Sequence, residues 1–157
     1  MTDCNSETNI VNGPQIGLMQ EEEEKGEQIL SIRGKNTSTT IRDVSHLGIV
    51  LEQNSTLETE GEFEGQGLST VTIHLHPDGT SQYEQRGFVN TRNGDFVALW
   101  GRGKGKNSTP TKATWEGELQ FMSQSEKLSA LNEISFRVQG SGDQAEGEFR
   151  GAVFRSE

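Results

Sequence analysis

The chain is poor in the residues on which small folds most often rely. It has one cysteine, three prolines, one tyrosine and two tryptophans in 157 residues. A single cysteine makes neither an intramolecular disulfide nor a cysteine zinc cluster. Cys4 has no His or Lys beside it to lower its pKa and is read as incidental. No apolar run approaches the ~18 residues of a membrane-spanning helix, so no membrane partner is expected. The first residues hold no basic stretch leading into an apolar one, so no secretory signal is expected and the protein is read as cytoplasmic. Basic residues are also short: 14 Lys and Arg against 24 Asp and Glu leave a net charge of −10. That balance argues against a protein that grips phosphate backbones, and nucleic acid is not expected as a partner. Leu, Ile, Val and Phe together number 34, just above the share below which a chain is expected to stay disordered. Glycine, by contrast, is plentiful at 19. With so little proline beside it, that excess belongs to structured turns and close packing.

The charge is unevenly placed. Residues 1–27 carry seven acids and one base, Lys25, so more than half of the net negative charge sits in this arm. It shows no strand or helix period. It is read as a solvated, flexible acidic segment, the alternative being that Ile16–Met19 docks on the body or on a neighbouring subunit. Residues 28–157 form the domain. Alternation of period two dominates there: Val71, Ile73 and Leu75 take one face against Thr72, His74 and His76 on the other. The spacing predicts strands over Gln28–Arg33, His46–Gln53, Thr56–Gly65, Val71–Leu75, Thr80–Asn90, Asp95–Gly105 and Ala113–Phe121. A last hairpin pairs Glu133–Gln139 with Ala145–Phe154 across Gly140-Ser141-Gly142-Asp143. Pro77-Asp78-Gly79 and Asn93-Gly94 mark tight turns. Leu128, Leu131 and Ile134, spaced by three, indicate a compact or one-turn helical segment. Long consecutive antiparallel strands with so few apolar residues predict an all-β fold: a single up-and-down antiparallel barrel of about eight strands, whose closure removes exposed edges.

Few constellations carry chemistry. His74 and His76 share a strand face, but no glutamate follows at metal-ligand spacing, so no metal is expected. No cofactor motif is present: Gly101-Arg102-Gly103-Lys104-Gly105-Lys106 lacks the ending of a phosphate-binding loop. No serine or histidine sits in a nucleophile-elbow context, and catalytic residues are unassigned. Glu58, Glu60, Glu62 and Glu64 line one strand face and are expected outside the barrel, offset by the Arg102–Lys106 stripe on a neighbouring strand. The echoes Glu60–Gly65, Glu116–Leu119 and Glu146–Gly151 put glycine on the face of an aromatic or leucine. These glycines are expected to leave room for a large side chain from across the barrel, or for a ligand. Phe96, Ala98 and Trp100 oppose Val97 and Leu99, so this strand is covered on two sides, which suggests a homo-oligomer through the Phe96/Trp100 face.

The stretch Ser123–Asn132, followed by Ile134–Val138, Gly142-Asp143 and Gly147–Phe149, resembles the end of allene oxide cyclase-like barrel proteins. There a Gly/Ser-Lys-Leu-x-x-Leu-Asn turn, matched here from Lys127 to Asn132, leads into the last hairpin. Trp115–Phe121 and the Gly101–Gly105 glycines are similar to barrel strands of that group's uncharacterised prokaryotic members. The resemblance implies a calycin-like eight-stranded barrel whose lumen holds a small, mainly apolar molecule, and oligomeric plant relatives that act by positioning a fatty-acid epoxide. Their Pro- and Asn-containing anchoring segment has no match here, so activity does not transfer. The leading expectation is a barrel binding a small apolar or amphipathic molecule. Its lumen is expected to be lined by Phe63, Val71, Tyr83, Trp115, Leu119, Phe121 and Phe149, with Tyr83 as a polar handle. The alternatives are a cyclase or isomerase acting by substrate positioning, and a solid-core interaction module without ligand.

Overall fold

The computed structural model describes residues 26–156. The acidic arm, including Cys4 and the Ile16–Met19 patch, therefore lies almost wholly outside the described residues. From Gln28 onward eight strands form one closed antiparallel barrel in sequence order: β1 (Gln28–Ser45), β2 (Gly48–Gly61), β3 (Gly65–Leu75), β4 (Thr80–Thr91), β5 (Phe96–Asn107), β6 (Lys112–Ser123), β7 (Ser135–Asp143) and β8 (Glu148–Arg155). β1 closes the ring by pairing with β8 over Gln28–Lys35. Among the described residues no helix is long and apolar enough to cross a membrane.

The turns form where backbone chemistry permits. Gly79 and Gly94 take φ of +90° and +88° at the β3–β4 and β4–β5 hairpins, and each donates its N–H at 3.0 Å to the residue three back, His76 or Thr91. At the first of these turns the Asp78 carboxylate accepts the Thr80 N–H and hydroxyl at 2.9 and 2.7 Å. Those two bonds hold its pKa below the ordinary carboxylate value.

Three boundaries depart from the sequence expectation. The expected strands His46–Gln53 and Thr56–Gly65 are one strand, and His46-Leu47 is the tip of the β1–β2 hairpin. No proline, Asn or Asp marks that tip, and the φ of +131° falls on Gly48 just after it. β1 runs on through the polar stretch to Ser45 instead of ending at Arg33. Finally, Gly140–Asp143 is strand, and the turn lies at Gln144–Gly147.

The two ends of the barrel differ. At the β1 entry end the lumen is solid: Leu30, Leu57, Val89, Val97, Leu99, Leu119, Phe121, Phe136 and Val153 are almost completely buried. Phe121 contacts Phe63 and Phe136 edge-on, with ring centroids 5.7 and 5.4 Å apart. A short 3₁₀ helix, Glu126–Leu131, plugs this end with Leu128 and Leu131. Asn132 clamps the plug to β6 by accepting the Ser123 N–H at 2.8 Å and donating to the Ser123 carbonyl at 3.0 Å. The leucine pair and asparagine of the Lys127–Asn132 turn are thus a stopper and its fastening.

The glutamate row does lie outside, but its partners are not the Arg102 stripe, because β2 and β5 are not neighbours. Glu58, Glu62 and Glu64 pair with Arg33, Arg155 and Arg92 at 3.2, 3.9 and 3.4 Å. Arg102 instead stands in register between Glu84 of β4 and Glu118 of β6, and Lys104 opposite Glu116 of β6. These pairs are exposed, and each contributes ~1 kcal/mol or less.

Candidate functional site

The opposite end of the lumen is not filled. A cavity of about 150 Å³ opens there, with an aliphatic wall of Leu51, Val71, Ile73 and Leu75 from β2 and β3. Tyr83, Trp115 and Phe149 face it from β4, β6 and β8, and Gln53, Ser55, Gln85 and Asn107 supply polar groups. Among the described residues no Asp, Glu, Lys, Arg or His lines this cavity. Among the described residues, no group of three His, Cys, Asp or Glu side chains could hold a metal ion.

The aromatic side is built by glycines. Trp115 lies across Gly140 and Gly151, its register neighbours on β7 and β8, with Cη2 2.8 Å from where a Gly151 Cβ would stand. Tyr83 lies across Gly103 and Gly117 in the same way, its hydroxyl 2.7 and 2.6 Å from their missing Cβ positions. Phe149 covers Gly34 of β1, where a Cβ would collide with the far edge of the ring. Each aromatic therefore bridges toward the next strand, and a Cβ on any of these strands would lift it into the lumen. The inward glycines make room for large side chains of adjacent strands. This also explains why Gly140 and Gly142 belong to a strand. The Glu-Gly-Glu-aromatic echoes are not one structural unit: Gly117 is mid-strand, whereas Gly61 and Gly147 have φ of +129° and +71° at strand ends.

Between the solid core and the open mouth lies a polar belt. Gln85 and Ser69 are buried at 7% and 4% exposure, and Ser55 donates to Asn36 Oδ1 at 2.8 Å. Two hydroxyls in this region, those of Ser69 and Tyr83, are buried without a hydrogen-bond partner among the described residues. Burial, reinforced by the nearby negative charge of Glu116, pushes the Tyr83 phenol well above its ordinary pKa. A phenol is protonated near neutral pH even at its ordinary pKa, so the group is available as a hydrogen-bond donor.

The seven residues expected to line the lumen divide into two groups. Val71, Tyr83, Trp115 and Phe149 come together around the cavity. Phe63, Leu119 and Phe121 lie in the solid core at 5% exposure or less, where they touch one another's layer and not the cavity. Leu51, Gln53, Ser55 and Gln85 were not foreseen. Gln53, Ser55 and Gln85 stand in stretches that are polar on both faces, and Leu51 closes the run Ile49-Val50-Leu51, which is apolar on both, so period two gives no signal at either.

Against this geometry stand the comparisons with known proteins. No family model matches the chain, and no curated protein matches it in sequence. Its fold, however, is shared. A protein of unknown function from Clostridium acetobutylicum ATCC 824 is similar with a TM-score of 0.75 at 13% identity, over 83% of this chain and 95% of that one. A β-barrel-like protein from Acinetobacter baumannii AYE gives 0.67 at 16% identity, over 83% and 94%. An enzyme from Penicillium herquei gives 0.60 at 17%, over 81% and 91%. At such identities the likeness is one of fold.

Proposed function

We propose that the barrel binds a small uncharged molecule, apolar along most of its body and polar at one end, in the open half of its lumen. The observation that carries this reading is a cavity that, among the described residues, holds no ionisable group other than the Tyr83 phenol, aliphatic on one wall and aromatic on the other, with two buried hydroxyls in the same region that have no partner among those residues. A buried hydroxyl left unpaired costs about 1–3 kcal/mol, and such a cost persists where the group serves a ligand. In volume the cavity matches an engineered apolar site of about 150 Å³ that admits benzene. Titration calorimetry with benzyl alcohol and hexan-1-ol tests the reading. Saturable binding that disappears in Val71→Trp, which fills the cavity, is the expected outcome, and absence of saturable heat for both probes overturns it. Tyr83→Phe should raise unfolding stability by about 1 kcal/mol, by removing the unpaired hydroxyl, while weakening these probes several-fold. Unchanged affinity in this variant would reduce Tyr83 to packing.

The resemblance to allene oxide cyclase-like barrels and the fold shared with the Penicillium herquei enzyme suggest an enzymatic form of the same reading, a cyclase or isomerase. With no carboxylate, imidazole or amine lining the cavity, such catalysis would consist of holding a reactive conformer, with the Tyr83 hydroxyl as donor.

The outer surface supports a second, independent proposal: self-association. Leu68, Phe88, Ala98 and Met122 form one register row across β3–β6, flanked by Phe96 and Trp100 on β5. Phe88 and Phe96 stack at 5.6 Å, and Leu68, Phe96, Trp100 and Met122 are between 43% and 55% exposed. Large side chains bury ~150–250 Å² each, so this patch presents on the order of 400–500 Å². That is about half of the ~800 Å² per partner a stable dimer buries, the remainder being polar rim, and a second copy of the chain is the partner we propose for it. Sedimentation velocity should show a dimer that Trp100→Glu/Met122→Lys converts to monomer with unchanged circular dichroism. A wild-type monomer at high micromolar concentration would refute the interface.

A further inference from the structure

The β1–β2 hairpin outruns the barrel. Pairing of β1 with β8 ends at Lys35 and the 2.7 Å bond from the Asn36 N–H to the Gly147 carbonyl, yet β1 continues to Ser45. Beyond that point β2 is its only strand partner among the described residues, and β2 is backed by β3 as far as Ile49–Leu75. The cavity wall therefore extends past the β8 edge into a β1–β2 flap at the mouth, which stays joined to the rest of the sheet through β3 and β4.

The two faces of this flap are sorted as though one were buried. Residues directly opposite each other on adjacent strands share a face. Ile41 stands opposite Leu51, Leu51 opposite Ile73, and Ile73 opposite Tyr83. In the next row out, Val44, Ile49, Leu75 and Ser81 follow one another in the same way. Leu51, Ile73, Leu75, Ser81 and Tyr83 all line the cavity, so Ile41, Val44 and Ile49 continue its apolar wall outward. Ile41 and Val44 are nevertheless 64% and 65% exposed. The opposite face carries Ser38, Thr40, Glu52 and Asn54, with Val50 as its apolar member and with Arg42 and Arg86 paired to Glu52 at 2.8 and 3.3 Å. A β-bulge between Ile41 and Asp43 restores the inward direction at Val44 after the step at Arg42. A hairpin with solvent on both sides needs no such alternation. In a chain with only 34 Leu, Ile, Val and Phe residues, this arrangement calls for an apolar occupant on the lumen side.

We infer that the occupant is the hydrocarbon tail of the ligand, and that the ligand class is a neutral, linear, long-chain amphiphile: a fatty alcohol or primary amide bound head-down. This rests on the lumen-binding reading above. The polar head reaches the belt of Gln53, Ser55 and Gln85, and the tail leaves along Leu51 and Ile73 onto Ile41 and Val44. From Ser55 to Ile49 the track runs six residues, about 20 Å at ~3.3 Å each, much longer than a 150 Å³ cavity requires. The head is uncharged because no cationic side chain lines the cavity to receive a carboxylate.

The test is calorimetric titration of the full chain with n-alkan-1-ols from butanol to decanol, and with decanoate. Each buried methylene contributes ~0.8 kcal/mol, about fourfold in affinity, and the increments should continue from hexanol to decanol. Decanoate should bind at least tenfold more weakly than decanol. Ile41→Asp/Val44→Asp should abolish the gain beyond hexanol while leaving butanol and hexanol affinity unchanged. If hexanol binds but decanol binds no tighter, or the increments survive in the double variant, the tail track is wrong and the lumen reading stands. If no alcohol binds at all, both fall. A change of oligomeric state in the double variant without ligand would assign the flap to a second copy and overturn the inference.

Discussion

Gly34→Val should destabilise the barrel by about 3 kcal/mol, at the upper end of the cost of forcing extra methyl groups into a packed site. β-Branched residues favour strands, and the Gly34 backbone has no positive φ, so local propensity alone would make this substitution mildly favourable. The cost comes from one neighbour: every heavy atom that a Cβ would meet most closely at Gly34 belongs to the Phe149 ring. The phenyl group must leave its place against β1 and turn into the cavity it lines. The same substitution in a Phe149→Ala background should therefore cost far less, with a coupling energy in the upper part of the ~0.5–3 kcal/mol range for residues in contact. Urea unfolding of the four proteins in this cycle measures it. Additive effects would mean that Gly34 is required for backbone reasons and that Phe149 is not what it accommodates. In the single variant the displaced ring also occupies the open lumen, so hexan-1-ol binding should weaken together with stability.

Phe121→Ala should cost more, about 3–5 kcal/mol, the usual range for emptying a buried aromatic site. Phe121 is 1% exposed and meets Phe63 and Phe136 edge-on. The cavity left behind is enclosed by Leu99 and Leu119, strand residues whose backbone is fixed on both sides by the barrel ladder, so it cannot collapse freely. At temperatures where the variant remains folded, affinity for hexan-1-ol should match wild type, because a polar belt separates Phe121 from the open end. A variant that loses stability and affinity together would show that the two halves of the lumen act as one unit. This contrast with Gly34→Val, which should affect both, separates core from site.

Much of the architecture was legible because alternation is a direct readout of which face is buried. Val97, Leu99, Leu119, Phe121 and Val153 each follow period two and each lie in the core. The turns with Gly at positive φ, Gly79 and Gly94, were equally visible. The exceptions have specific causes. Gly140 and Gly142 look like a turn because the pattern of one strand carries no trace of Trp115 and Phe149 on the strands beside it. β1 beyond Arg33 looks like a loop because Lys35–Thr40 are polar on both faces, and the bulge between Ile41 and Asp43 throws the apolar residues that follow, Ile41 and Val44, out of period two. Phe63, Leu119 and Phe121 looked equivalent to Tyr83, Trp115 and Phe149 because inward direction says nothing about height along the barrel axis. Height is set by strand stagger, and stagger is a property of pairing.

The sequence by itself determined a single antiparallel barrel. Its alternation specifies inner and outer faces, and its scarcity of apolar residues leaves closure as the way to bury enough of them. What only the tertiary structure decided is which end is solid and which is open. That depends on where each inward residue meets its neighbours around the ring: Leu128 and Leu131 closing one end, aromatics laid over glycines at the other, and a polar belt between them. Side-chain direction is a local consequence of the pleat. Layering is a consequence of register among eight strands, and no single strand carries it.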